Sequence, residues 1–405
     1  MDHARSTNPA VQAQLDRLSK LSPAGDRLGL DRILDLLDRL GRPQDRLPPV
    51  FHVAGTNGKG STCAFLRAAL EAAGHRVHAF TSPHLVRFNE RIRIAGTLVA
   101  DDMLAALLTE VIDAGGDIEP SFFEVAAAVA FLAFARTPAD ACILEVGLGG
   151  RLDATSVVER PAVCGIASLA LDHQEFLGTT LAEIAGEKAA IARPGVPLVS
   201  LAQPAEAEVA IAAVAAERGA PLFLEGREWQ SDATLRPALP GPHQVRNANL
   251  ALQMLARQDL LGVERSAFLS GLTSASWPAR FQRLREGPLT GSAATWIDGA
   301  HNPAAAEALA GTLAEHGPMH LVLGILANKD AEAIIAALRP HALSLTFVPL
   351  ADHDHHDPAA LAARFGGRAA GSLPEALADL PEPRLIAGSL YLAGQALAAN
   401  GELPD

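Results

Sequence analysis

The chain has 405 residues, of which 49% are hydrophobic and 20% charged; the length favours two or three domains, and the composition excludes a disordered chain. A formal net charge of -13 argues against a protein that wraps nucleic acid, because binding a run of phosphates needs a basic surface. The three cysteines, Cys63, Cys142 and Cys164, show no metal-ligand spacing and cannot all pair, which sets aside a disulfide framework and fits a reducing, cytoplasmic compartment.

Residues 1–21 are polar and mixed in charge, unlike an ordinary secretory signal. The longest apolar run, residues 122–135, contains Glu124 and falls short of the roughly 20 residues a membrane-spanning helix needs. Leu30, Ile33, Leu34, Leu37 and Leu40 repeat at helical spacing, and Gly41 suits the end of that helix. A buried strand expected over residues 49–54 runs into Gly55-Thr56-Asn57-Gly58-Lys59-Gly60-Ser61, and residues 62–73 read as the next helix, closed by Gly74.

Further strands are expected at 77–80, 141–146, 162–167 and 197–201, with helices at 122–135 and 181–192 between them. Strands alternating with helices predict an α/β protein: a doubly wound, mainly parallel sheet of the P-loop type, covered on both faces. A second alternating set begins near Thr295 and includes strands at 320–326, 343–348 and 384–387, a smaller Rossmann-like unit. Residues 285–294, with Gly287, Pro288 and Gly291, have the composition of a linker. The domains are therefore expected over 1–284 and 285–405.

Gly55–Ser61 has the chemistry of a phosphate cradle. Glycines let backbone N–H groups converge on phosphate oxygens, and the following helix adds its positive N-terminal end. Lys59 suits the β and γ phosphates and Ser61 a magnesium ion, although the spacing departs from the GxxxxGK[ST] pattern, with Gly60 inserted before Ser61. Glu145 closes an apolar strand that continues as Val146-Gly147-Leu148-Gly149-Gly150-Arg151-Leu152-Asp153. A carboxylate at the C-terminal end of a parallel strand points into the crevice where such sheets bind ligands, and it is a hard oxygen ligand for magnesium. Asp172-His173 follows another strand and reaches for the same crevice. Glu187-Lys188 sits in a helix among Ala and Ile residues, and Asp298-Gly299-Ala300-His301-Asn302-Pro303 marks a strand-to-helix turn opened by proline.

Taken in order, these segments resemble the folylpolyglutamate synthase and dihydrofolate synthase enzymes of the Mur ligase superfamily. The resemblance rests on Gly55–Ser61, Thr81-Ser82-Pro83-His84-Leu85, Asn89-Glu90-Arg91-Ile92, residues 144–154, Leu171-Asp172-His173, Glu187-Lys188-Ala189, Trp277-Pro278-Ala279-Arg280-Phe281-Gln282 and Asp298–Pro303. It implies an ATP-dependent ligase that activates a carboxylate as an acyl phosphate and joins it to L-glutamate. By the same resemblance Asn57, Gly58, Lys59, Gly60, Ser61, Asn247, Arg280 and Asp298 bind ATP, and Ser61, Ser82, Glu145 and His173 hold two Mg2+ ions. Lys188 carries a carbamate (N6-carboxylysine), and His301 serves the glutamate or phosphate side.

A dihydropteroate or folate site maps to Leu28, Gly29 and Leu30, to Ser121, Phe122, Phe123 and Glu124, and to Leu152, Asp153 and Ala154. Implied partners are ATP, L-glutamate and dihydropteroate or tetrahydrofolate, with neither nucleic acid nor membrane and with the chain as a monomer. Ser156, Ala279 and Asn328 depart from the residues usual at those positions. A monofunctional folylpolyglutamate synthase, a peptidoglycan-precursor ligase of the same superfamily and an ATP-operated switch remain alternatives at this point. The His-rich run Asp352-His353-Asp354-His355-His356-Asp357 matches no motif and is expected as a solvated loop.

Overall fold

The computed structural model describes residues 6–21 and 28–405. It divides into two compact units, one running to Ala238 with Val245–Ala275 added, the other made of Leu239–Gln244 and Ser276–Asp405.

The first unit is built on strands β1 (Val50–Ala54), β2 (Val77–Phe80), β3 (Ile92–Ile94), β4 (Thr97–Leu98), β5 (Ala141–Glu145), β6 (Val163–Ile166), β7 (Leu198–Ser200) and β8 (Leu222–Leu224). They lie in the order β4-β3-β2-β5-β1-β6-β7-β8. From β2 to β8 every pairing is parallel, and β3 and β4 add an antiparallel edge. All five residues of β1 and of β5 are buried, as expected of central strands covered on both faces, and this is why they read as continuous apolar runs. Val53 stands opposite Glu145 and Ala54 opposite Ile166, so the segments that follow β1, β5 and β6 leave the same end of the sheet side by side. That end is where open α/β sheets bind ligands.

The helix Phe122–Arg136 packs its buried residues into a core with Ile33, Leu36 and Leu37 of the helix Asp31–Arg39. Ser121 caps it: its hydroxyl accepts from Glu124 N while the Glu124 carboxylate accepts from Ser121 N, a capping box that fixes where the helix starts. Two elements differ from the sequence reading for clear reasons. The helix after the phosphate loop begins at Lys59 rather than at 62, because Gly58, at φ 89°, completes the turn. The helix expected over 181–192 ends at Ala189. There the Arg193 guanidinium donates to the carbonyls of Ala190, Ile191 and Ala192 and crosses to those of Ser156 and Val158, so these carbonyls turn away from helix geometry.

The second unit carries β9 (Gln282–Arg283), β10 (Thr295–Ile297), β11 (Met319–Leu323), β12 (Ala342–Phe347), β13 (Arg368–Ala369) and β14 (Arg384–Ala387), ordered β13-β12-β11-β14-β10-β9. Only β9 runs antiparallel, pairing Gln282 with Ile297 and Arg283 with Trp296. This pairing draws residues 276–284 into the second unit, so the division falls nine residues before the expected 284/285. The expected linker at 285–294 is a packed turn. Arg285 N donates to Glu402 Oε1 at 2.8 Å, and Leu289 N and Thr290 N both donate to Asn400 Oδ1 at 3.2 Å. Among the described residues no helix is long and apolar enough to cross a membrane.

Candidate active site

In the first unit the loop after β1 is tied to the segment after β6. Thr56 N and Asn57 N donate to Ser168 O at 2.9 and 3.1 Å, and Thr56 Oγ1 donates to Ala170 O at 3.1 Å. These bonds hold the loop against the segment after β6 and leave the N-terminal turn of the helix Lys59–Ala72 at the sheet end. Lys59 Nζ folds across the loop and donates to Gly55 O and Thr56 O at 3.1 and 3.3 Å. A Cβ at Gly58 would stand 2.4 Å from Asn247 Oδ1, so the glycine is what lets Asn247 lie against the loop. Ser61 is buried, and its hydroxyl has no hydrogen-bond partner among the described residues. Buried hydroxyls are rarely left so.

Glu145, also buried, accepts from Ser82 N at 3.1 Å, which joins two of the sequence-derived metal residues directly. His173 sits at the N-cap of a short turn with φ 51°, its own N–H turned onto Asp172 Oδ1 at 2.9 Å. Among the described residues no three His, Cys, Asp or Glu side chains group as a metal site. The set Ser61, Ser82, Glu145 and His173 contains only two such residues and otherwise offers hydroxyls, the donor chemistry of a magnesium ion that keeps several waters. With an orphaned buried Ser61 hydroxyl among them, these residues fit a hard divalent cation.

Lys188 is 4% exposed. Burial first, then the Lys59 cation, push its amine down to about 7, against the opposing pull of Asp172, Asp153 and Glu187. A helical lysine that snorkels to water would not shift in this way.

The residues ascribed to the pteroate end fall into three groups. Leu28 is exposed, and Leu30 is the N-cap of Asp31–Arg39 and packs against the core. Glu124 is buried; its Oε2 accepts from Ser121 N at 2.7 Å and from Arg32 Nε at 3.1 Å, while Oε1 is buried with no partner among the described residues. Phe123 meets the loop after β5 so closely that a Cβ at Gly147 would lie 2.4 Å from its ring. Phe122 lies edge-on to Phe88, with the Arg91 guanidinium 5.2 Å from its centroid.

Asp153 is also buried, and each carboxylate oxygen takes two donors. Oδ2 accepts from Gly147 N and Leu148 N at 3.0 and 2.9 Å; Oδ1 accepts from Thr155 N at 2.9 Å and from Thr155 Oγ1. Burial raises its pKa in spite of these bonds. Asp153 thus organises the loop that carries Gly147 towards Phe123. Arg32, Thr155 and Arg193 escaped the sequence reading, since a salt-bridge partner, a loop threonine and a post-helix arginine carry no periodic signal.

In the second unit Asp298 closes the turn after β10. Its two oxygens accept from Phe281 N and Ala300 N, both at 2.8 Å, and burial raises its pKa while Arg280 opposes. Arg280 reaches the same turn, its NH1 within 2.7 Å of a Cβ placed on Gly299. His301 Nδ1 bonds Gly299 O at 2.8 Å, and Asn302 Oδ1 caps the helix Pro303–His316 by accepting from Ala305 N at 2.9 Å. Arg280, Asp298 and His301 are therefore one cluster. Ala279, one of the departures from the usual residues, holds φ 54°, a left-handed conformation that explains why glycine suits the position.

The His-rich run is a loop with Asp352, Asp354 and Asp357 exposed, as expected, and it is also anchored. His356 N donates to Ile325 O at 3.0 Å, its Nε2 bonds Lys329 O at 2.9 Å, His353 stacks on Tyr391 at 3.8 Å, and Asp357 Oδ1 caps a helix at Ala359 N.

Residues 279–386 match the model of the Mur ligase glutamate ligase domain. The chain is 36% identical over 356 residues to a dihydrofolate synthase/folylpolyglutamate synthase of Bacillus subtilis, covering 80% of this chain and 81% of the relative. Escherichia coli FolC in complex with DHPP and ADP superposes with a TM-score of 0.86 at 33% identity, over 97% of each chain. A bifunctional folylpolyglutamate synthase/dihydrofolate synthase from Yersinia pestis, complexed with AMPPNP and a Mn ion, gives 0.86 at 33% identity over 97% of this chain and 99% of that one. The chain belongs to the dihydrofolate synthase/folylpolyglutamate synthase family, ATP-dependent amide-forming ligases of the Mur ligase superfamily.

Proposed function

We propose that the chain joins L-glutamate both to dihydropteroate and to the terminal glutamate of reduced folates. A carboxylate oxygen of the acceptor attacks the γ-phosphorus of ATP and ADP leaves; the amine of glutamate then attacks the acyl carbon, inorganic phosphate leaves and the amine gives up a proton. The Ser61 hydroxyl carries this reading: it is buried, and unpartnered among the described residues, in the first turn after a phosphate loop, where a magnesium ligand of such loops stands.

The loop amides and Lys59 would hold the phosphates, positioning and charge being most of what phosphoryl transfer needs. Ser61, Ser82, Glu145 and His173 would hold Mg2+, which when bound offsets negative charge on the transferring phosphoryl group. Lys188, whose amine is pushed down to about 7 and so is part neutral near pH 7, is suited to take up CO2 as a carbamate and so to turn from a cation into an anionic oxygen donor. Asn247 on the loop side, and Arg280 and Asp298 in the second unit, are the further ATP-binding residues, with His301 on the glutamate side. Glu124, whose Oε1 has no partner among the described residues, and Phe122 and Phe123 supply a carboxylate and flat apolar surface suited to a pterin.

The test is an ADP-release assay with dihydropteroate and with tetrahydrofolate, each with and without L-glutamate. Release that requires both acceptor and amino acid, with either acceptor, is the expected result. Release with tetrahydrofolate alone of the two would leave a monofunctional synthase, and release without glutamate would leave a nucleotide-operated switch.

A further inference from the structure

His52 lies in the middle of β1, between Phe51 and Val53, and is fully buried. Its Nε2 stands 2.8 Å from Thr155 Oγ1, and its Nδ1 is buried with no partner among the described residues. The direction of these bonds follows from donor counting. An ionised carboxylate only accepts, so the single hydroxyl hydrogen of Thr155 goes to Asp153 Oδ1. Thr155 Oγ1 must then accept from His52, which places the imidazole hydrogen on Nε2 and leaves Nδ1 bare, in keeping with the absence of a donor there. Burial, with the Arg193 cation adding to it, pushes the imidazole down to about 3, so it is neutral and carries one N–H, as this chain requires. Packing alone does not account for the residue. An apolar side chain would fill the strand position without a buried nitrogen left unsatisfied, which costs stability.

We infer that His52 is a positioning residue for the pteroate end of the site, holding Asp153 through Thr155 and with it the loop that sets Gly147 against Phe123. The inference rests on the proposed reading that residues 152–154 serve the pteroate. Donation runs from His52 Nε2–H to the Thr155 hydroxyl and from that hydroxyl to the Asp153 carboxylate, which also accepts from the backbone amides of Gly147 and Leu148. It ties the strand that feeds the phosphate loop to the loop that follows Glu145, so phosphate and acceptor ends of the first unit share one internal support.

The experiment compares His52→Leu, His52→Gln, Thr155→Val, Asp153→Asn and the double variant His52→Leu/Thr155→Val in the full chain, with KM and kcat measured separately for dihydropteroate and ATP. His52→Leu and Thr155→Val should each raise the dihydropteroate KM about tenfold, the effect of one lost buried hydrogen bond, with the ATP KM within about twofold. The double variant should be no worse than either single one, because both cut the same chain. His52→Gln, whose amide nitrogen can replace Nε2–H, should restore most of the loss.

If Asp153→Asn raises the dihydropteroate KM but His52→Leu and Thr155→Val do not, the relay is overturned and the site reading stands. If Asp153→Asn leaves that KM unchanged, the reading of residues 152–154 falls and the relay with it. Equal losses for ATP and dihydropteroate in His52→Leu would make the residue a structural part of β1 and overturn the inference. Should His52→Leu fold poorly, Thr155→Val and His52→Gln decide, since neither removes bulk from the strand.

Discussion

The buried amine of Lys188 lies within electrostatic reach of Lys59, and burial together with that second cation holds it at about 7 instead of the usual 10.5. The amine is therefore neutral above about pH 7 and cationic below it. Only the neutral amine adds CO2, releasing one proton as the carbamate forms, so carbamate occupancy should rise with pH through about 7 and be lost below it. With 13C-labelled bicarbonate, the carbamate carbonyl signal should fall as pH drops from 8 to 6, together with kcat, and should be absent in Lys188→Ala. A signal that is missing at pH 8, or that survives in Lys188→Ala, removes the assignment.

Lys59 Nζ donates to the Gly55 and Thr56 carbonyls of its own loop, and its removal should spare the fold. Lys59→Ala should lower kcat by roughly 10²- to 10³-fold, the usual cost of deleting one preorganised group that faces a charged transition state. The circular dichroism spectrum should match that of the wild type. Turnover close to wild type would show that the phosphates are held elsewhere.

The loop and the strands around it were legible in the sequence because their signals are local: a glycine run between an apolar strand and a helix, and a lone Glu145 at the end of a buried strand. What stayed hidden depends on partners distant in the chain. Gln282–Arg283 becomes a strand only because Trp296 and Ile297 lie beside it. The Gly- and Pro-containing stretch after Arg285 looks like a linker until Asn400 and Glu402 accept its amides. Asp153 reads as a substrate residue in the motif, yet its oxygens are taken up by Gly147, Leu148 and Thr155. The polar His52 passed unremarked inside an apolar strand, because its role depends on Thr155, 103 positions away in the chain.

Glu145 accepts from Ser82 N, so a change at Glu145 should be felt as metal affinity rather than as loss of ATP. Glu145→Gln keeps size and an acceptor oxygen but removes the charge. At saturating ATP the Mg2+ concentration for half-maximal activity should rise by roughly 10- to 100-fold, with activity largely recovered at high metal. An unchanged metal dependence would place the cation away from β5.

Glu124 offers the sharpest separation of acceptor recognition from chemistry. One of its oxygens is occupied by Ser121 N and Arg32, and the other is buried without a donor among the described residues. The aminopyrimidinone edge of a pterin carries adjacent N–H donors that suit such an oxygen. Glu124→Gln presents either a neutral acceptor or an N–H₂ group there, and a hydrogen bond to a charged partner contributes about 1.5–3 kcal/mol. The dihydropteroate KM should therefore rise by roughly 10- to 100-fold, while the ATP KM and the Mg2+ requirement stay near wild type. Arg32→Met should act in the same direction more weakly, because it frees Glu124 Oε2 without removing the acceptor, and an Arg32→Met/Glu124→Gln double variant should match Glu124→Gln alone. If Glu124→Gln instead raises the ATP and dihydropteroate KM values together, the carboxylate serves only to cap the helix Phe122–Arg136, and the pterin-binding role passes to other residues.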